Sequence, residues 1–445
     1  MAIQSSATLG SIRKFSSTQG VRFMPHFFGF LFFTSFIYTV PYMPEFNALV
    51  FLIKRVLYAL LFLFMCSAIN WKQVRLNMFF WCIAFWLVIH VVSFLIHQVN
   101  DNLYLSRLAQ GSFVYVLVVF LCQFSSQLHF GPLTYRFIML GPSLLALVGL
   151  FLAVFDSYWA SLIQGGFNGY RVGFSIWLAQ IVFLILFCSG TSTLQIQATS
   201  TPGVLSRSSL LKALVLIAPI IGLQVFASGR IGLLASAIIC IYFCYRVFKS
   251  WLAVVLSISY LALTISLFSA VQPPTQLSSQ TENYSTLRGL SQAQEIVSNF
   301  EIINIEEVAI GTYSILDIVS SYRLAIFIEG LRAITPNIFF SGKGVGEFVV
   351  YVYSGSYNVH NVFLNTLGEL GIAGLLVVLC IIIISMKKKP GCVSDSHMRF
   401  FIILWVLIAL LEPELLLTKI GLSLIFWVAF AKLLVEDNRP VIGRF

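Results

Sequence analysis

Apolar runs of about twenty residues alternate with short polar connectors along most of the chain. That length matches helices crossing a hydrocarbon core about 30 Å thick. Helices are the natural form, because every backbone polar group must be satisfied within the segment. A membrane β-barrel would show shorter stretches of alternating polarity, whereas these runs are continuous. The pattern predicts an all-α integral membrane protein with about twelve transmembrane helices. They fall near 25–43, 49–70, 77–97, 108–127, 137–155, 172–190, 213–228, 231–248, 251–270, 361–385, 399–415 and 419–435. Lys54 and Arg55 interrupt the second, so they either snorkel to an interface or mark a later start. Only the tight turn Ser228-Gly229-Arg230 divides the seventh from the eighth.

The pattern divides the chain into five parts. These are an N-terminal tail (1–24), helices one to nine (25–270), a large loop (271–360), helices ten to twelve (361–435) and a C-terminal tail (436–445). The loop opens on Gln272-Pro273-Pro274-Thr275-Gln276 and continues rich in Ser and Thr. Loops this long usually carry function or are disordered. Residues 315–334 place a broad apolar face beside Arg323, Glu329 and Arg332. That predicts an amphipathic helix against the membrane or over a cavity, ended by Pro336. A Gly342-Lys343-Gly344-Val345-Gly346 turn follows. It lacks the spacing of a phosphate-binding P-loop and reads as a structural turn.

Composition supports the membrane reading and charge gives it a direction. Apolar residues make up 59% of the 445 and charged residues 10%, against about a quarter charged in soluble domains. With the N-terminus in the cytoplasm, 17 Lys and Arg fall on inner segments and 8 on outer ones, Arg107 among the outer set. The positive-inside rule therefore predicts cytoplasmic termini and a periplasmic large loop. The net charge of +10 is explained by this bias and gives no reason to expect nucleic acid. Seven cysteines lie in spans and Cys392 in an inner loop, so no disulfide framework or metal spacing is expected. The polar, basic N-terminus lacks a small-residue cleavage site, so no removable signal peptide is expected.

The outer face gathers the residues capable of chemistry. Arg171 opens the sixth span, Arg230 sits in the tight turn, and Arg323 follows Tyr322 at the head of the amphipathic segment. His360 and Asn361 begin the tenth span, and Glu369 lies nine residues further on, inside apolar sequence. Glu412 and Glu414 flank Pro413. Arginine binds phosphate oxygens through a planar fork of donors, so several at one face suit a pyrophosphate. A nearby histidine suits proton transfer. A carboxylate buried in a span requires a partner. His90 and His97 share one face of the third span and read as packing residues.

In this order the residues resemble the O-antigen ligase and polymerase family of bacterial envelope enzymes. Arg171-Val172-Gly173-Phe174 resembles its Arg-x-x-Gly-Phe stretch. Ala227-Ser228-Gly229-Arg230 is similar to its Ser-x-Ser-Arg turn, with Gly229 for the second Ser. Arg323, Pro336 and Gly342-x-Gly344-x-Gly346-x-Phe348 resemble its Arg…Pro…Gly-x-Gly-x-x-x-Phe run. His360-Asn361-x-x-Leu364 with Glu369-x-Gly371-x-x-Gly374 is similar to its His-Asn-x-x-Leu…Glu-x-Gly-x-x-Gly signature. The likeness spans about 170–375. The family's Pro-Asn after the first stretch is absent, with Ser175-Ile176-Trp177-Leu178 there.

The resemblance implies a metal-independent, cofactor-free glycosyltransferase of the bacterial inner membrane, acting on the periplasmic side. Its donor would be an undecaprenyl-diphosphate-linked glycan. The acceptor would be another lipid-linked unit for a polymerase, or lipid A–core (in relatives, protein) for a ligase. A chain-length regulator and a flippase would be its partners. Carried over, Arg171, Arg230 and Arg323 bind the diphosphate, and Arg332 and Tyr322 join them in the set that contacts diphosphate or glycan. His360 is the catalytic group beside Arg230 and Arg323, while Asn361 and Glu369 support it. A transporter for a lipid-linked glycan is the competing class, and it predicts charge at mid-membrane depth.

Overall fold

The computed structural model describes residues 27, 31, 44–74, 78–98, 101–124, 132–155, 159, 171–190, 206–227, 230–270, 323–352, 355–387, 393–412 and 420–435. Its elements are α1 (Pro44–Ala68), α2 (Met78–His97), α3 (Asp101–Phe124), α4 (Pro132–Phe155), α5 (Arg171–Gly190), α6 (Arg207–Phe226), α7 (Arg230–Phe248) and α8 (Trp251–Ala270). Then come α9 (Arg323–Arg332), α10 (Pro336–Ser341), β1 (Val349–Val352), β2 (Gly355–Asn358), α11 (Val362–Lys387), α12 (Val393–Ala409) and α13 (Ile420–Val435). Seven of these helices (α2, α3, α4, α6, α7, α8 and α11) are long and apolar enough to cross a membrane, and α1, α5 and α12 hold shorter apolar helices. Large apolar side chains such as Trp81, Phe85, Phe151 and Val215 stay exposed on these helices, which is stable only in lipid. The chain is a multi-pass, helical membrane protein.

Of the first expected span only Phe27 and Leu31 are described, and both are helical and buried. Phe27 packs on Phe120 at 4.6 Å between ring centroids. The tails, most of the large loop and Tyr322 lie outside the described residues. Two boundaries move with consequence. The expected fourth span began at 108, whereas α3 begins at Asp101 and carries Arg107 inside the helix. The expected eleventh span ran to 415, whereas α12 closes at Ala409 in a turn through Leu410 and Leu411.

Helices in lipid gain little from apolar contact alone, so close approach and hydrogen bonds hold them together. On the α7 face toward α5, a side chain at Gly232 would collide with the Ser175 backbone. The Gln224 amide of α6 donates to Ser175 O at 2.8 Å, joining a third helix there. Ser143 of α4 donates to Leu216 O of α6 at 2.6 Å, and Tyr260 of α8 to Leu214 O at 2.5 Å. Gln180 of α5 accepts from Ile425 N of α13 at 3.2 Å. Tyr242 of α7 stacks on Phe400 of α12 at 3.7 Å.

Above this bundle lies a small cap of α9, α10 and an antiparallel hairpin, with Val349 opposite Asn358 and Val352 opposite Gly355. The hairpin is not expected from the sequence pattern. Its core is separate: Ala325, Ile326, Phe348, Val350, Val359 and Leu364. The amphipathic helix is realised over Arg323–Arg332. Pro336 does more than end it. With Thr335 as N-cap accepting from Ile338 N, Pro336 opens α10.

Gly232→Leu should drive α5 and α7 apart and cost about 1–3 kcal/mol, the usual range for overpacking. Leu234→Ala, at a lipid-exposed position, should change little. Thermal stability in detergent, followed by size-exclusion chromatography, measures both. Equal shifts would contradict the packing described.

Candidate functional site

One end of the bundle carries the residues of interest. Helices α5, α7 and α12 meet at Phe183, Phe243 and Phe401, with Phe183 4.3 Å from Phe401 and 5.9 Å from Phe243. Helices α5 and α7 run parallel, since Ser175 meets Gly232 and Phe183 meets Phe243. Helix α12 runs against them, since Phe187 meets His397 as Phe183 meets Phe401. From the ring cluster each helix continues about a dozen residues, roughly 18 Å at 1.5 Å per residue. They arrive at Arg171, at Arg230 and at the Leu410–Glu412 turn.

The cap joins at that same turn. Arg323, the first residue of α9, donates through Nη1 to Leu411 O at 3.0 Å. Asn361 donates through Nδ2 to Leu410 O at 3.2 Å, and its Oδ1 accepts from Phe363 N and Leu364 N at 3.0 Å each. Asn361 is thus the N-cap of α11 and its strap to α12. His360, half-buried, precedes it. Arg230 is exposed and Arg323 half-buried. Helices α5, α7 and α9 each begin on arginine with no acidic residue in the first turn. A cation there opposes the positive end of the helix dipole, so helix stability does not favour it. Helix N-termini with guanidinium groups added form an anion-attracting end.

Glu369 is buried and held from two sides. Its Oε1 accepts from Gly346 N at 3.0 Å, and its Oε2 lies 3.8 Å from Arg107 Nη2. The second distance exceeds hydrogen-bond range, so Arg107 acts on it as a neighbouring charge. Arg107 is itself 8% exposed. The same loop binds α3 again: Val345 N donates to Tyr104 OH at 3.0 Å, and Tyr104 OH pairs with Ser93 of α2 at 2.8 Å.

Helix α11 breaks at Gly371, with φ +69° and ψ −168°. A break leaves carbonyls without intrahelical donors. Lys343 N donates to Gly368 O at 2.8 Å and Gly344 N to Glu369 O at 3.1 Å. The glycine loop supplies what the helix lacks. Gly342, Gly344 and Gly346 all have positive φ (74°, 103° and 80°), the region L side chains avoid. A side chain at Gly342 would strike Glu369 O, and one at Gly371 would strike Phe340 O.

The structure therefore brings the helix starts at Arg171 and Arg230 to the same end as Arg323, His360 and Asn361, with Glu369 bracing the loop beneath. The Arg171 side chain lies outside the described residues. Arg332 does not join them. It closes α9, about nine residues and 14 Å along the helix from Arg323, and pairs with Glu329 at 2.6 Å. Sequence reasoning missed Arg107 and Tyr104. The signal for Arg107 was available, because Glu369 demanded a partner and Arg107 adjoins an apolar run. His90 is buried and its Nδ1 contacts Trp86 O at 2.9 Å, in keeping with a packing role. Among the described residues no cluster of His, Cys, Asp or Glu is arranged to hold a metal ion. Comparisons with family models, with curated proteins and with solved structures returned no match.

Removing one member of a buried charge pair costs about 3–5 kcal/mol, because the other is stranded. Arg107→Met and Glu369→Gln should each destabilise on that scale. The double variant Arg107→Met/Glu369→Gln should lie closer to wild type than Arg107→Met alone, since glutamine still accepts from Gly346 N. A double-mutant cycle on thermal stability in detergent tests this, and strictly additive losses would contradict the pairing.

Proposed function

We propose that this protein is a membrane glycosyltransferase of the O-antigen polymerase and ligase kind, acting on the periplasmic side of a bacterial inner membrane. It extends undecaprenyl-diphosphate-linked repeat units into a surface polysaccharide. One observation carries the reading. Three helices start on arginine, and α9 and α11 are tied to a turn at the same end beside a histidine. Such an end suits a diphosphate and an attacking hydroxyl. The four sequence segments that resemble the family supply the residues of this end.

In this reading Arg230 and Arg323, with Arg171, bind the lipid-linked diphosphate. They stabilise the charge that grows on it as the glycosidic bond to phosphate breaks. The acceptor hydroxyl attacks the anomeric carbon with inversion, undecaprenyl diphosphate leaves, and His360 takes the hydroxyl proton. Asn361 fixes the backbone that presents His360. Glu369 is a brace and not the base, because Gly346 N and Arg107 occupy its carboxylate. Arg332 drops out of the diphosphate set on its distance from Arg323. Tyr322 keeps the role its position next to Arg323 suggests. The transporter reading is disfavoured by depth: among the described residues the buried charges Arg107, Glu369 and Glu412 all lie near this end.

Arg230→Ala, Arg323→Ala and His360→Ala should each remove most long-chain glycan, with protein amounts near those of wild type. Arg230→Lys should also be impaired, because an ammonium cannot make the paired contact of a guanidinium. Glycan ladders on gels read the outcome, and normal ladders in all three alanine variants would refute the assignment. Gene deletion separates the two activities. A core bearing one repeat unit marks a polymerase; a bare core with lipid-linked polymer accumulating marks a ligase.

A further inference from the structure

We propose that α10 and the glycine loop form a re-entrant segment, with the Phe340 side chain seated among the lipids of the bilayer. Helix α11 has 26 residues, so it is about 39 Å long against a hydrocarbon core of about 30 Å. Even if all the surplus of about 9 Å lies at the site end, the core boundary falls about six residues into the helix, near Gly368. Tilt or the bend at Gly371 leaves still less of α11 outside.

Gly371 is deeper than that boundary, and Phe340 O is in contact with it. Phe340 therefore stands at or below the edge of the hydrocarbon, and it is 70% exposed. At that depth the medium available to an exposed phenyl ring is lipid. Helix α11 presents its own lipid-facing side chains in the following turns, with Leu376 and Ile383 about half exposed. Trp and Tyr anchor at the headgroup level, whereas the wholly apolar Phe ring suits the hydrocarbon side of the boundary. Lys343, also exposed, is three residues on, and a long cation there reaches headgroup phosphates by snorkelling.

A second observation is independent of exposure. Non-helical backbone survives at membrane depth only when its polar groups are satisfied by protein or water. From Gly342 to Glu347 every backbone N–H has a protein acceptor. Gly342 N donates to Ile338 O, Lys343 N to Gly368 O, Gly344 N to Glu369 O and Glu347 N to Gly344 O. Val345 N donates to Tyr104 OH and Gly346 N to Glu369 Oε1. A loop bathed in water has no need of so complete a set.

The test uses the full chain in nanodiscs of phosphatidylcholine. Phe340→Cys is labelled with an environment-sensitive fluorophore, and wild type labelled in parallel gives the background from native cysteines. Arg332→Cys serves as the exposed polar reference. The expected result at 340 is blue-shifted emission, strong quenching by doxyl-labelled phosphatidylcholine and weak quenching by aqueous iodide, with the reverse at 332. Phe340→Trp with brominated phosphatidylcholine repeats the measurement without a bulky label, and excess quenching over wild type supports the proposal. Quenching at 340 by iodide alone overturns it. Protection from both quenchers overturns it too, because protein and not lipid would then cover the ring. No substrate is involved, so failure here is distinct from failure of the glycan-transfer reading.

Discussion

The interrupted helix α11 is the constraint on which the site end depends. A helix crossing lipid cannot break without leaving carbonyls unsatisfied, and no water is at hand to take them. At Gly371 the break is accepted because Lys343 N and Gly344 N meet the carbonyls of Gly368 and Glu369. The exchange is mutual. The loop leaves its own ladder at three glycines of positive φ, and the broken helix gives it acceptors. Neither element satisfies its backbone alone, so cap and helix fold as one unit.

Glu369 extends that bond into the bundle. Its carboxylate meets the loop through Gly346 N and meets α3 through Arg107. Tyr104 and Ser93 add a second tie from the loop to α3 and α2. The cap is thereby referenced to transmembrane helices and not to its own small core alone. The consequence reaches the site, because Arg323 starts α9 and Asn361 starts α11, and both are fastened to the turn after α12. A glycan-transfer site built on these positions would have its cationic and histidine sides set by the same braced frame.

Much of this was legible in the residues. Apolar runs marked the helices, since lipid imposes length and composition together. Asn361 and Pro336 marked a helix start and a helix boundary through simple capping rules. The sequence also flagged Glu369, because a carboxylate in an apolar span is costly when alone. What the sequence withheld was contact between distant segments. Arg107 precedes Glu369 by 262 positions, and no local rule joins them. The hairpin of Val349–Val352 and Gly355–Asn358 was invisible because two four-residue strands carry too little pattern. The glycine turn read as a turn, and its docking on a broken helix needed the fold.

The arginines at helix starts separate stability from use. Acidic residues at the first turn favour a helix, and cations oppose it. Arg207, at the start of α6, has a local reason to be there, since its guanidinium lies 5.5 Å from the Phe248 ring. At the site end Arg171, Arg230 and Arg323 open three helices that converge from distant parts of the chain. Arg323 has a structural duty there, a bond from its Nη1 to Leu411 O. Three helix N-termini at one end, with the Arg230 and Arg323 guanidinium groups at two of them, raise the local positive potential. An anion arriving there would balance that potential. A diphosphate carries the charge and the oxygen geometry to do so, and a departing lipid diphosphate would gain most as its charge grows in the transition state.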